Sequence, residues 1–424
     1  MVTFVIIVFI IGYLAIAFEH PLGLNKAATA LLTGVFCWTI YIFSGVEREL
    51  AVEQLLHHLG AISSILFFLL GAMTIVELID RHDGFTLITD KIKTRSKAKL
   101  LWIIAFITFF LSAFLDNLTT AIVMTSLIAK ILENKRDRLW FTGIIIIAAN
   151  AGGAFSPLGD VTTTMLWIGK QITAQNIIKE LFLPSIFVCL VPVAIISPRF
   201  RNQSFNFNIT SRSSISKKES SLVLISGIVL LLFVPVFKML THLPPFMGVM
   251  LVLGILWIIV SVIHYKKPND EKHKLTVTYA LEKIDTPSIL FFLGILLAVS
   301  AIQSFGLLKH LADLLDNSLG NVFLIGATLG IISAIVDNVP IVAAAQGMYD
   351  LTIFPTDHPF WVFLALTTGT GGSIIIIGSA AGVAAMGIEK IDFMWYLKKI
   401  SWIAFVGFLA GILVYMIQTL LLGP

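Results

Sequence analysis

The chain has 424 residues, 57% of them hydrophobic and 13% charged, with a net charge of +4 and a mean hydropathy of +0.95. A soluble protein carries about 25% charged residues, so a soluble domain is excluded, and the long apolar runs describe a polytopic helical membrane protein. Alternating ten-residue strand patterns are absent, which argues against an outer-membrane barrel. Cys37 and Cys189 both lie in apolar segments and imply no disulfide framework.

Met1–Phe18 lacks a basic leader and is expected to remain as a first helix. Ten crossings are expected, centred near residues 10, 35, 69, 155, 189, 231, 254, 296, 375 and 411. Between the third and fourth, Phe85, Leu87, Ile88 and Ile92 alternate with charges in Arg81–Lys99, which predicts a short interfacial helix. Segments 100–130 and 321–349 are apolar but interrupted by Asp116-Asn117 and Asp337-Asn338. Each reads as a re-entrant hairpin with the pair at its tip.

Positive charge supports that reading. Lys and Arg flank the first hairpin on both sides (Arg81, Lys91, Lys93, Arg95, Lys97 and Lys99 before it, Lys130, Lys135, Arg136 and Arg138 after it). Cytoplasmic flanks are rich in Lys and Arg, so this hairpin opens inward. The second has Lys309 before it and no other basic residue until Lys390, so it opens outward. The resulting topology puts 24 of the 29 Lys and Arg inside and both termini outside. The Ser-, Asn- and Arg-rich stretch 198–220 reads as a cytoplasmic linker. The expected organisation is 1–58 as N-terminal scaffold helices, 59–197 as a first repeat, the linker, 221–285 as further scaffold helices, and 286–424 as a second repeat.

The two halves resemble each other. Asp116 and Asp337 are 221 positions apart, SSILFFLLGAM at 63–73 resembles SILFFLGILL at 288–297, and NAGGAFSPLGD at 150–160 resembles GTGGSIIIIGS at 369–379. Each half reads as a span, a hairpin, and a span broken at Gly-Gly. Since the hairpins open to opposite sides, the fold class is an all-α membrane protein of two inverted repeats, each with a re-entrant hairpin and a broken transmembrane helix. That is the architecture of secondary transporters, with the site where the halves meet. Glycines could instead serve helix packing alone, but Gly-Gly, Pro157 and Asp160 crowded into one apolar run point to a helix break.

A carboxylate at membrane depth costs roughly 2.5–3.5 kcal/mol on insertion scales. Such residues usually mark an ion or proton path. Sodium is a hard cation that takes oxygen ligands. The candidate cation and proton ligands are Asp116, Asn117, Asn150, Asp160, Thr162, Thr163, Asp337, Asn338, Ser373 and Ser379, with Glu77 near the end of its span. Asp116, Asp160 and Asp337 are the candidate direct metal ligands. Burial favours a protonated carboxyl and a bound cation favours the ionised one. One carboxylate could therefore hold a proton or a sodium ion but not both, which suffices for exchange. The plainer readings are helix capping for the three aspartates, an interfacial place for Glu77, and back-bonding to carbonyls for the Ser and Thr hydroxyls.

MTIVELIDRHDGF at 73–85, FLDNLTTAIVM at 114–124, NAGGAFSPLGDVTT at 150–163, VDNVP at 336–340 and TTGTGGS at 367–373 together resemble the NhaD-type sodium/proton antiporters of the ion-transporter superfamily. The resemblance runs from about residue 60 to the end. It implies exchange of Na+, and Li+, for H+, with no cofactor beyond the transported ions. It also implies a multi-pass protein of the cytoplasmic (inner) membrane, a homodimer, and elevator-like motion of a transport unit against a scaffold. Small cations and the lipid bilayer are the expected partners, with no nucleic acid. Dicarboxylate importers of this superfamily carry Ser-Asn-Thr at the hairpin tips, so aspartate there favours a cation. The alternatives are an anion transporter of the same fold, for a carboxylate or arsenite, and an intramembrane aspartyl protease. SPLGD only partly resembles the GxGD signature of that protease, and a shared-proton dyad leaves the repeat unexplained. No enzyme is expected.

Overall fold

The structure, a computed structural model, describes residues 1–17, 19–85, 87, 94–205, 215–265, 273–335 and 337–422. Helices α1 (Val2–Ala17), α2 (Lys26–Ile42) and α3 (Arg48–Arg81) open the chain. Then come α4 (Lys97–Leu115) and α5 (Asn117–Ile131), the arms of the first hairpin, and α6 (Lys135–Ala154) and α7 (Val161–Ile168), a helix broken at 155–160. Helices α8 (Ala174–Ile196), α9 (Lys217–Thr241) and α10 (Pro245–Ile263) lead into the second half. There α11 (Thr286–Ser304) and α12 (Leu307–Leu319) precede α13 (Val322–Ser333) and α14 (Asn338–Met348), the arms of the second hairpin. The second broken helix is α15 (Pro359–Gly371) and α16 (Ala380–Glu389), and α17 (Ser401–Leu422) closes the chain.

Among the described residues, seven helices are long and apolar enough to cross a membrane, or eight if the bent pair α12–α13 is one span. Six of the seven fall on expected crossings. The seventh is α4, whose 19 residues match the bilayer core although it is a hairpin arm. Expected crossings near residues 10 and 35 fall on α1 and α2, of 16 and 17 residues. Those near 155 and 375 fall on the two breaks. Helix α3 has 34 residues and so reaches about 51 Å at 1.5 Å per residue, beyond the bilayer core itself.

Helix α12 is an element the sequence reading missed. Leu307, Leu308, Leu311, Leu314 and Leu315 fall on one face against Lys309, Asp313 and Asp316, and the chain bends by 117° between α12 and α13. This is the pattern of an interfacial helix. It precedes the second hairpin as Arg81–Lys99 precedes the first. Residues 86 and 88–93 of that first segment lie outside the described residues, and Phe85 before them is buried. The linker's start is pinned to the foot of α4, since Lys97 N donates to Gln203 O (3.0 Å) and Phe205 N to Arg95 O (3.0 Å). Residues 206–214 lie outside the described residues.

The helices sort by packing. Helices α2 and α11 form the most extensive pair, and α3, α9 and α10 pack with one another beside α11. The second group joins the hairpins to the broken helices: α5 lies on α6 and α16, α14 on α7 and α15, and α6 on α15. Equivalent close approaches occur in both halves. A Cβ on Gly152 would stand 2.0 Å from Phe109 O of α4, and one on Gly371 would stand 2.2 Å from Gly330 O of α13. Each broken helix thus lies backbone-to-backbone on its own hairpin arm, a fit that only glycine permits. Gly152→Ala is expected to lower stability by about 1–3 kcal/mol, read as a drop in melting temperature in detergent. An unchanged melt would show that the arm yields at no cost.

Candidate cation site

Both helix breaks begin their second segment with a polar N-cap in extended conformation. Asp160 has φ −147° and ψ 142°, and Ser379 has φ −145° and ψ 152°. Asp160 Oδ1 accepts from Thr162 N (2.9 Å) and Ser379 Oγ from Gly382 N (3.2 Å). The two residues fill the same role in the two repeats, with a carboxylate in one and a hydroxyl in the other. The repeat is therefore symmetric in backbone and asymmetric in charge.

The breaks meet through one side chain. Asn150 Nδ2 donates to Ser373 Oγ and Ser379 Oγ, both at 2.9 Å. Its Oδ1 accepts from Asn117 Nδ2 (3.0 Å), which also donates to Asp160 Oδ2 (3.0 Å). Asn117, Asn150, Asp160, Ser373 and Ser379 thus form one network, all at most 5% exposed. None of its hydrogen bonds comes from Lys, Arg or His. Beside it, Thr162 Oγ1 is buried without a well-formed hydrogen bond. A buried hydroxyl in that state costs free energy unless something else engages it, and an oxygen-seeking cation would.

In the second hairpin, the Asn338 amide nitrogen, turned toward the break, reaches Gly378 O (2.9 Å), Thr368 O (3.2 Å) and Ser333 Oγ (2.7 Å). It ties the tip of one element to the break of the next, as Asn117 does in the first repeat. The candidates Asn117, Asn150, Asp160, Ser373 and Ser379 are therefore brought together, with Thr162 beside them and Asn338 at the matching position.

Others are placed differently. Asp116 caps α5, with Oδ1 accepting from Thr119 N (2.8 Å) and Oδ2 from Thr119 Oγ1 (2.9 Å). It holds φ 75°, a conformation costing about 1–3 kcal/mol in a non-glycine residue, and so makes the sharp turn that swings Asn117 inward. Asp337 caps α14 through Val339 N (3.2 Å). Among the described residues no three His, Cys, Asp or Glu side chains converge as on a metal site. The three aspartates therefore do not converge on one point, since Asp116 and Asp337 bond at their own hairpin tips. Thr163 Oγ1 donates to Ser156 O (2.8 Å) and Asp160 O (2.9 Å), holding the loop of the break. Glu77 pairs with Arg81 one turn on (2.6 Å) and stands outside the network.

Ser333 and Tyr396 were missed. Tyr396 OH donates to Ser373 O (2.8 Å) and fixes the second break from below. Ser333 Oγ donates to Thr368 O (3.0 Å), and Ser112 makes the matching bond to Ala149 O (2.6 Å). The signal was present, since Ser-Ala stands three residues before each Asp-Asn pair. Asn150→Ala would strip the network of its bridge between repeats and leave Asn117 one acceptor short. The expected cost is about 1–3 kcal/mol with weakened ion binding, measured by thermal melting and Na+ titration. A melt and titration like those of the parent would show that the bridge carries nothing.

Two helical hairpins and two broken helices meeting on buried side-chain oxygens define a secondary transporter. A family model described as citrate transporter matches residues 6–369. The sequence is 50% identical over 412 residues to Sodium/proton antiporter 1 of Arabidopsis thaliana, spanning 97% of this chain and 71% of that one. It is 29% identical to the Na(+)/H(+) antiporter NhaD of Alkalimonas amylolytica, over 98% and 90% of the two chains. The fold resembles the Alcanivorax borkumensis YdaH transporter, with a TM-score of 0.60, 10% identity, and coverage of 94% and 99%. The chain belongs to the NhaD-type sodium/proton antiporters, within the family that this citrate-transporter model describes.

Proposed function

We propose that the protein exchanges Na+, and Li+, for H+ across the cytoplasmic membrane, with both ions competing for Asp160. The observation that carries this reading is the single carboxylate in the network where the two helix breaks meet. Asp160 is the one group there whose charge changes on taking up a proton or an alkali cation. The amides and hydroxyls around it offer the hard oxygen donors that sodium prefers. Either ion neutralises the site, and the empty ionised site is the costly state. Crossing is therefore favoured only when loaded, and that coupling makes exchange obligatory.

The functional division follows the packing. The hairpins and broken helices, from 59–197 and 286–424, carry the ion. The helices of 1–58 and 221–285, together with α3 and α11, form the scaffold against which they move. The inward and outward openings of the two hairpins, the extracytoplasmic termini and a homodimer complete the proposal. They rest on the charge distribution and on the family resemblance.

The description of the family model raises a second reading, in which the cargo is a carboxylate anion. An anion site needs positive groups among its ligands, and this network presents a carboxylate instead. Everted vesicles from antiporter-deficient cells separate the two. Addition of Na+ or Li+ is expected to dissipate a respiration-generated pH gradient. No response to either ion, with uptake of a labelled carboxylate instead, would overturn the antiport reading.

A further inference from the structure

The half-helix α7 carries Asp160 at its N-cap and ends in carbonyls that face three elements. Met165 O accepts from Gly169 N (2.8 Å) and from Gln346 Nε2 of α14 (3.2 Å). Leu166 O accepts from Gln171 N (2.9 Å), and Trp167 O from Lys170 N (3.3 Å). The helix end is thus closed by its own following turn. A further donor comes from outside it. Lys238 Nζ of α9 donates to Trp167 O (2.9 Å), and the same ammonium lies over the Trp167 ring at 4.5 Å. Trp167 is buried and meets Phe68 of α3 edge-on, with centroids 6.4 Å apart.

Helix α9 packs on α3 and α10, whereas α7 packs on α14 and α15 and more lightly on α3. Lys238 therefore adds a polar contact between two groups of helices that also meet where α3 touches α7 and α11 touches α14. Among the described residues no carboxylate pairs with it. Its partners are a carbonyl already satisfied by its own turn and the face of a ring. The carbonyl does not need Lys238 to keep α7 intact. A half-buried ammonium held in this way gives up hydration for one hydrogen bond and a cation–π contact. If the helices part, it recovers that hydration. The hydration given up offsets part of what the contact contributes, which suits a contact that is made and broken repeatedly.

We propose that Lys238 is a latch: a positioning residue that fastens the ion-carrying half-helix α7 to α9 in one end state of the transport cycle. This rests on the antiport reading above. Each turnover returns to the latched state, so loss of the latch lowers the maximal rate while the ion site itself keeps its affinity.

The test uses Lys238→Cys in the full chain with Cys37 and Cys189 kept, since both native thiols are buried and shielded from aqueous thiol reagents. Everted vesicles are assayed for Na+-driven proton movement before and after thiol modification. The cysteine variant is expected to lose on the order of fivefold in maximal rate, with half-saturating Na+ unchanged within about twofold. An aminoethyl thiosulfonate, which restores an ammonium on a side chain one atom longer than lysine, recovers the rate, and a methyl thiosulfonate does not. A tenfold rise in half-saturating Na+ at full rate would overturn the latch, placing Lys238 in control of the site itself. Equal rescue by the methyl reagent, or no effect of Lys238→Cys, would overturn it as well. The unsubstituted protein is run alongside, and if it moves no protons in response to Na+, the antiport reading has failed. The latch is then decided by melting temperature, which falls in Lys238→Cys and recovers with the aminoethyl reagent alone. Equal melting of all forms overturns it.

Discussion

Asp160→Asn is expected to abolish Na+-driven proton movement while leaving the protein folded. The amide keeps the size of the side chain and remains a good N-cap, so the bond from Thr162 N survives and α7 starts where it did. The charge is gone from the network. A carboxylate–cation contact at about 4 Å contributes roughly 4 kcal/mol at an effective dielectric near 20, which is on the order of a thousandfold in affinity. The proton loses its site in the same substitution, so neither half of the exchange remains. Asp160→Glu keeps the charge but pushes it about one methylene into a filled space beside Gly153 and Gly369. It is expected to retain a measurable fraction of activity. Transport assays paired with a melting curve separate loss of function from loss of fold. Robust Na+ exchange by Asp160→Asn would sink the assignment of this residue.

Arg138→Ala is expected to do the reverse, costing stability first. Arg138 Nε donates to both Glu389 carboxylate oxygens (3.0 Å each), and Nη1 to Leu132 O (3.2 Å) and Glu133 O (3.1 Å). One guanidinium thereby holds the start of α6, the end of α5 and the end of α16 together. The Glu389 side chain is 2% exposed. Removing its partner leaves a buried charge uncompensated, which costs about 3–5 kcal/mol. The 21% exposure of the arginine puts the expected value at the low end of that range. The matching contact in the other repeat is Asp357, which accepts from Thr173 N (2.6 Å) and Thr173 Oγ1 (2.8 Å). The melting temperature of detergent-solubilised protein should fall clearly in Arg138→Ala. It should recover in large part in the double variant Arg138→Met, Glu389→Leu, which removes both charges. A single variant as stable as the parent would show that the pair contributes nothing.

Hairpins, breaks and the repeat relation were legible because each leaves a local mark. Asp-Asn interrupts an apolar run, and Gly-Gly with Pro157 stops a helix. The division of labour among the polar residues was not legible. Sequence weights Asp116, Asp160 and Asp337 alike. The fold separates them through backbone torsions that adjacent residues do not encode. The positive φ of Asp116 turns its carboxylate onto Thr119 and sends the neutral Asn117 into the network. Ser379 ranked low as one hydroxyl among many, because its equivalence to Asp160 appears once both are seen as N-caps of matched half-helices. Thr163 looked like a ligand by position but bonds back to the loop that it terminates, as hydroxyls in apolar helices commonly do. Helix α12 escaped notice because its charges lowered the apolar signal used to find spans. Its leucine spacing carried the information.

The central claim is that one carboxylate holds either a sodium ion or a proton. The most direct test is half-saturating Na+ measured against pH, in proteoliposomes with the same pH on both faces and no imposed potential. Competition at one site predicts that half-saturating Na+ rises on the acid side, approaching tenfold per pH unit by the linkage of proton and cation at a single group. The maximal rate at saturating Na+ should stay constant over that range. A half-saturating Na+ that does not move with pH, while the maximal rate falls, would place proton and cation on separate groups and contradict the account.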